Sequence, residues 1–242
     1  MRARFRGVTA ATIPSSDGDI PGHLAVPYPS ISGEPPWPGV VVVHDAFGMT
    51  DDSNAITDRF AADGFLAVAP DLYARGGFAR CVRTVFGQLS KGSGQAFDDI
   101  EAARRLLAER ADCTGAVGVV GFCMGGGFAL LAAPRGFQAS APYYGQVPDD
   151  EAVLDGACPV VASFGAKDAT LKGAAAKLES HLTELGVPHD VKEYPDAGHG
   201  FANRLKVGPF GPLLRVAGFG YHEESAEDAW RRVTTFFTEH LR

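Results

Sequence analysis

Four consecutive valines, Val40–Val43, constrain this chain more than any other feature. β-Branched side chains favour extended backbone, and a run with no polar alternation needs apolar cover on both faces. That describes a strand inside a parallel sheet, and parallel strands need crossover connections, usually helices. Strand, helix and strand should therefore alternate after Val43. Phe65–Ala69 reads as a second buried strand ended by Pro70, and Val117–Val120 as a third. Ala139–Tyr143, Val160–Phe164 and His189–Tyr194 read as further strands. Between them, Asp51-Asp52-Ser53 caps a helix carrying Ile56 and Phe60. Helices are also predicted over 95–110, through Phe128–Ala133, near 171–185 and over 223–240, the last with Trp230, Val233 and Phe237 inward. Upstream, strands at about 3–13 and 19–26 meet at Ser16-Asp17-Gly18, a hairpin turn. The expected fold is an α/β sandwich: a mostly parallel central sheet flanked by helices, with an antiparallel N-terminal hairpin.

The 242 residues, 45% of them hydrophobic, suit one domain spanning 1–242, and the aromatic content excludes disorder. A net charge of −7 repels phosphate backbones, so nucleic acid is not an expected partner. No apolar run is long enough for a signal peptide or a membrane span. The cysteines, Cys81, Cys113, Cys123 and Cys158, form no C-x-x-C and read as reduced thiols, neither a disulfide framework nor a zinc site. A cytoplasmic protein, monomer or homodimer, with no metal and no cofactor, is expected.

In such sheets ligands bind beyond the carboxyl ends of the strands. One such end carries Gly121-Phe122-Cys123-Met124-Gly125-Gly126, of the form G-x-C-x-G. This is a nucleophile elbow with cysteine in the usual serine position. A nucleophile on a tight strand-to-helix turn has strained dihedrals, and side chains at the flanking glycines would collide. The helix N-terminus behind it favours a thiolate, and the Met124 amide is left to hold an oxyanion. By itself the motif is equally a small buried cysteine on a Gly-rich turn. Neither a dinucleotide fingerprint nor a phosphate loop is present.

Two partners follow at strand ends. Asp168 lies just past Val160–Phe164, and His199 lies in Asp196-Ala197-Gly198-His199-Gly200-Phe201. Singly they read as a turn residue and a loop histidine. Nucleophile, acid and histidine in that order is the α/β-hydrolase arrangement. His44 reads as a strand-end histidine or an assistant to catalysis, and Tyr143 and Tyr144 as pocket lining or packing. Residues 204–222, rich in Gly and Pro yet apolar, are expected to cover the pocket or make a subunit contact.

Together these segments resemble the dienelactone hydrolase family of α/β hydrolases from Val40 to the last helix. The matching pieces are His44-Asp45-Ala46-Phe47-Gly48, Pro70-Asp71-Leu72-Tyr73-Ala74-Arg75, the cysteine elbow, Tyr143-Tyr144-Gly145 and Ala197-Gly198-His199-Gly200-Phe201. The resemblance implies a Cys123–His199–Asp168 triad, and an oxyanion hole of the Met124 and Ala46 amides. It implies that Arg75 binds a substrate carboxylate, as a planar guanidinium can. Asp45 stands where similar enzymes carry a glutamate that touches the cysteine, and is one methylene shorter; its other reading is a loop acceptor. Asn203 stands where dienelactone-active members place a second arginine, with Arg204 one residue later. The implied activity is hydrolysis of a small ester or lactone through an acyl-cysteine. Two rivals stand beside it: a broad carboxylesterase of the same fold, and a non-catalytic thiol-sensing or binding protein.

Overall fold

In the computed structural model, which describes residues 8–204 and 220–242, the strand holding the four valines is Trp37–Val43 and every residue of it is buried. Val41 and Val43 belong to an apolar cluster on one side of the sheet, Val40 and Val42 to a second on the other. The period-two geometry of a strand sends successive side chains to opposite faces, so the unbroken run is what two covered faces require.

The strands are β1 (Val8–Ile13), β2 (Ile20–Ala25), β3 (Trp37–Val43), β4 (Leu66–Pro70), β5 (Cys113–Phe122), β6 (Ala139–Tyr143), β7 (Val160–Gly165) and β8 (His189–Tyr194). They form one sheet in the order β1-β2-β4-β3-β5-β6-β7-β8. β1 and β2 form an antiparallel pair, β2 runs antiparallel to β4, and all pairs from β4 to β8 are parallel. The expected fold class is therefore observed. The part of the predicted first strand before residue 8 lies outside the described residues, as does 205–219 of the apolar segment.

The helices are α1 (Pro29–Ser32), α2 (Asp51–Ala62), α3 (Gly77–Lys91), α4 (Gln95–Ala108), α5 (Met124–Ala132), α6 (Ala174–Glu184) and α7 (Glu223–Leu241). On one face α3, α4 and α5 cover Val41, Val43, Leu66, Val68, Val117 and Val119, with α6 packing beside them on Val160 and Ala162. On the other, α2 and α7 close over Val40, Val42, Ala67 and Val120. Helix α3 is an addition to the sequence expectation. Its apolar residues Phe78, Val82, Val85 and Leu89 fall at helical spacing, and of its residues only Val85 and Leu89 are buried. Helix α2 starts as expected, although the capping side chain is Thr50, which accepts the Ser53 amide.

The order reverses around β3, which has β4 on one side and β5 on the other. Connections leaving β3 and β5 must therefore diverge, opening a crevice above their carboxyl ends. The β3–α2 loop carries residues 44–50 and the β5–α5 turn carries Cys123.

Phe237 of α7 is fully buried and stacks at 6.2 Å from Phe60, with Phe65 edge-on at 6.3 Å. Phe237→Ala should cost about 3–5 kcal/mol, roughly 10 °C or more in Tm. Chemical denaturation checks it, and a loss under about 1 kcal/mol would contradict this packing.

Candidate active site

Cys123 sits at φ 54°, ψ −114°, a region that L-residues avoid. Neighbouring glycines make the turn possible. A Cβ on Gly121 would lie 1.9 Å from the Gly125 carbonyl oxygen, and one on Gly125 would lie 2.3 Å from that of Val43. Backbone against backbone cannot yield, so β5, the turn and α5 approach this closely only with both glycines. The Cys123 amide bonds the Tyr143 carbonyl at 3.1 Å, and the half-buried thiol stands at the N-terminus of α5.

His199 Nε2 lies 3.0 Å from Cys123 Sγ, and its Nδ1 lies 2.6 Å from Asp168 Oδ2. Loops 76 and 31 residues apart in sequence thus converge on one imidazole. Backbone bonds fix the two loops together. The Ala166 amide donates to the Tyr194 carbonyl at 2.9 Å, and the Lys167 amide to that of Ala197 at 2.9 Å. The other oxygen of Asp168 accepts the Thr170 amide and hydroxyl, at 2.9 and 2.6 Å. Burial pushes the Asp168 carboxyl up, but the bonds from His199 and Thr170 outweigh it and hold it below the usual range. Burial alone would lower His199; its bonds to Asp168 and to the sulfur prevail and raise it to about 9. An imidazole bonded in this way can take a thiol proton on Nε2 while the carboxylate holds its other nitrogen protonated.

The β3–α2 loop lies opposite. The Asp45 carbonyl accepts from His44 Nδ1 at 2.7 Å and from the Gly48 amide at 3.2 Å. Asp45 Oδ1 accepts the Phe47 amide at 2.8 Å, and the Tyr73 hydroxyl donates to the Ala46 carbonyl at 3.0 Å. Among the described residues no hydrogen bond engages the Ala46 amide of this loop or the Met124 amide at the first turn of α5. The Asp45 side chain is therefore turned onto its own loop, the acceptor reading. Burial raises its carboxyl to about 6, the Phe47 amide pulling the other way.

Arg75 is occupied elsewhere. Its Nη1 and Nη2 meet Asp99 at 2.6 and 3.1 Å, while Nε and Nη2 donate to the Asp17 and Gly18 carbonyls, each at 3.1 Å. Four of the five guanidinium N–H groups are thereby bonded within the protein. Asp99 is the reason: it is buried, and an unpaired carboxylate there would be costly, so it takes the nearest arginine. Sequence spacing gives no sign of this partner on α4.

Of the other residues around the site, Tyr144 and Asn203 were singled out in the sequence, but their link to Asp52 was not legible there. The Tyr144 ring lies 5.3 Å from the His199 ring, and its hydroxyl bonds Asn203 Oδ1. The Asn203 amide reaches Asp52 at 2.8 Å, and Asp52 also accepts the Arg204 backbone amide at 3.0 Å. This chain ties the His199 loop to the start of α2. Asn203 is thus buried, and the Arg204 guanidinium turns to the Tyr221 hydroxyl at 2.6 Å. Tyr143, by contrast, packs in the core beside Phe122. Phe47 and Phe78 are exposed, and Phe78 lies edge-on to Tyr73. Cys113 and Cys158 have thiols pushed up by burial. Among the described residues no group of three or more His, Cys, Asp or Glu could hold a metal, and no helix is long and apolar enough to cross a membrane.

An elbow between β5 and α5, with an acid after β7 and a histidine after β8, is the arrangement of an α/β hydrolase. The family model of the dienelactone hydrolase family matches residues 25–241, and the chain belongs to that family. It is 30% identical over 252 residues to a carboxymethylenebutenolidase of Rhodococcus opacus, covering 96% of this chain and 94% of that one. A Yersinia pestis protein provisionally named carboxymethylenebutenolidase is 28% identical over 247 residues, covering 95% and 87%. Among solved structures, a Klebsiella pneumoniae protein provisionally described as a dienelactone hydrolase superposes with a TM-score of 0.76 at 26% identity, over 97% of this chain and all of the other. The chain is a hydrolase of the dienelactone hydrolase type.

The His199–Asp168 bond predicts a titration. In Asp168→Asn one of the two raising partners is lost while burial and the sulfur remain, so the His199 Cε1–H resonance, titrating near pH 9 in the parent, should move to lower pH. NMR titration of both proteins measures it; a parent midpoint at or below 6.5 would contradict the arrangement.

Proposed function

We propose that the protein hydrolyses a small ester or lactone through a thioester on Cys123. The observation that carries this reading is the continuous line Cys123 Sγ, His199 Nε2, His199 Nδ1, Asp168 Oδ2, with contacts of 3.0 and 2.6 Å. His199 Nε2 takes the thiol proton while sulfur attacks the carbonyl carbon. The carbonyl π pair moves onto oxygen, and that oxyanion rests on the Met124 and Ala46 amides. As the carbonyl re-forms, the C–O bond breaks, and the leaving alkoxide or enolate takes the proton from Nε2. Water then attacks the thioester carbonyl, giving a proton to His199 Nε2; the C–S bond breaks, the leaving sulfur takes that proton, and the acid departs with the Cys123 thiol restored. Asp168 stays ionised and holds the imidazole in its working tautomer. Thiolate is a better leaving group than alkoxide or amide nitrogen, so activated esters and lactones suit this nucleophile better than peptides. No step calls for a metal or cofactor, and on this reading the 242 residues act as one domain on a small molecule in the cytoplasm.

A second reading, a broad carboxylesterase acting on uncharged esters, is favoured by one observation. The Arg75 guanidinium that would anchor a substrate carboxylate is bonded to Asp99, and Asn203 occupies the position of a second anchor. The exposed rings of Phe47 and Phe78 suit an apolar acyl or leaving group instead.

Steady-state kinetics on a matched pair, an aryl ester and the same ester bearing a carboxylate, tests both. Cys123→Ala should lose at least about 10³-fold in kcat on either. The neutral ester should have the higher kcat/KM, and Arg75→Gln should leave that ratio unchanged while lowering stability, because Asp99 loses its counter-charge. Undiminished turnover by Cys123→Ala would overturn the thioester. Preference for the acidic ester, abolished by Arg75→Gln, would restore the carboxylate anchor.

A further inference from the structure

His44 is buried to 1% exposure at the end of β3, where it cannot touch a substrate. Its two ring nitrogens nonetheless face two backbone groups of different kinds. The Leu72 amide points at Nε2 at 3.2 Å, and the Asp45 carbonyl faces Nδ1 at 2.7 Å. An amide N–H can only donate, so Nε2 must offer its lone pair; a carbonyl can only accept, so Nδ1 must carry the proton. The environment thus admits one species, the neutral imidazole protonated on Nδ1. Burial favours it too, lowering the His44 pKa below its ordinary value against the raising effects of the Asp45 carbonyl and of Asp71. The edge of the neighbouring Tyr73 ring, 4.9 Å between centroids, closes off the imidazole.

The Asp45 carbonyl belongs to the same peptide as the Ala46 N–H. In a trans peptide these groups point in opposite directions, so whatever holds the carbonyl aims the amide. A donor on the carbonyl also polarises the peptide and strengthens its N–H as a donor. We propose that His44 is the positioning residue of the oxyanion hole: by holding the Asp45 carbonyl, it directs the Ala46 N–H toward the oxygen of an acyl group on Cys123. The Leu72 amide in turn keeps the imidazole from flipping, which ties the aim of the hole to the loop after β4. This rests on the thioester reading of the site, and a chain with leucine at position 44 could fold the same sheet without that control.

The test separates chemistry that makes an oxyanion from chemistry that does not. Ester turnover passes through one; alkylation of Cys123 by iodoacetamide, a displacement at a saturated carbon, does not. His44→Gln keeps an acceptor for the Leu72 amide but leaves the Asp45 carbonyl held by the Gly48 amide alone, at 3.2 Å. It should lower kcat by roughly 10–100-fold, a part of what deleting an oxyanion donor costs. KM and the alkylation rate constant should stay within about twofold. His44→Asn, which keeps a donor near Nδ1, should restore kcat to within about fivefold of the parent, and it carries the test if His44→Gln fails to fold. Unchanged kcat in folded His44→Gln overturns the proposal, as does a parallel fall of kcat and alkylation rate in both variants, the mark of a merely structural role. If alkylation of the parent leaves ester turnover intact, the thioester reading fails first; the His44 proposal fails alone when alkylation abolishes turnover yet His44→Gln is as active as the parent.

Discussion

The backbone of Cys123, at φ 54°, costs of order 1–3 kcal/mol relative to ordinary conformations. It persists because three segments meet there with no room for side chains: Gly121 at the end of β5 lies against the Gly125 backbone in the first turn of α5, and Gly125 lies against the Val43 and His44 carbonyls at the end of β3. The sheet supplies the restraint. β3 and β5 pair in parallel register up to Val43 and Gly121, so their carboxyl ends stop at the same level and the turn is forced out above them. Relieving the strain would mean breaking that pairing or unpacking α5, which is buried along most of its length. Strain, register and the position of the sulfur are one arrangement.

From that fixed sulfur the rest follows by distance. The β7 and β8 ends are parallel neighbours paired up to Gly165 and Tyr194, so the loops carrying Asp168 and His199 leave the sheet side by side. Their side chains then need only short turns to meet. The imidazole is restrained further from behind by the Tyr144 ring, whose hydroxyl reaches Asp52 through Asn203. The balance of charges is local as well. His199 is raised to about 9 because two bonding partners outweigh burial, whereas Asp45, with one amide against the same burial, is raised to about 6.

Much of this was legible in the residues. The valine run announced a doubly covered strand because parallel strands expose no polar face, and the elbow glycines announced a tight turn because nothing larger fits. Cys123, Asp168 and His199 could be named because each falls just past the carboxyl end of a strand read from the sequence. Less legible were features set by partners far away in sequence. Arg75 was expected to face a ligand, yet a buried aspartate 24 residues on captures it. The Asp45 side chain was open between cysteine and loop, and its shorter reach ends at the Phe47 amide. In each case a buried charge or a short side chain found the nearest partner, and local spacing carries no record of that.

The central claim is that an acyl group passes through Cys123. Rapid acid quenching of the protein during turnover of an aryl ester, followed by peptide mass spectrometry, addresses it most directly. The account predicts that the peptide holding Cys123 gains the mass of the acyl group as a base-labile thioester. No such gain should occur in Cys123→Ala. An adduct on a different residue, or steady turnover with the Cys123 peptide unmodified under conditions where acylation outpaces hydrolysis, would contradict it.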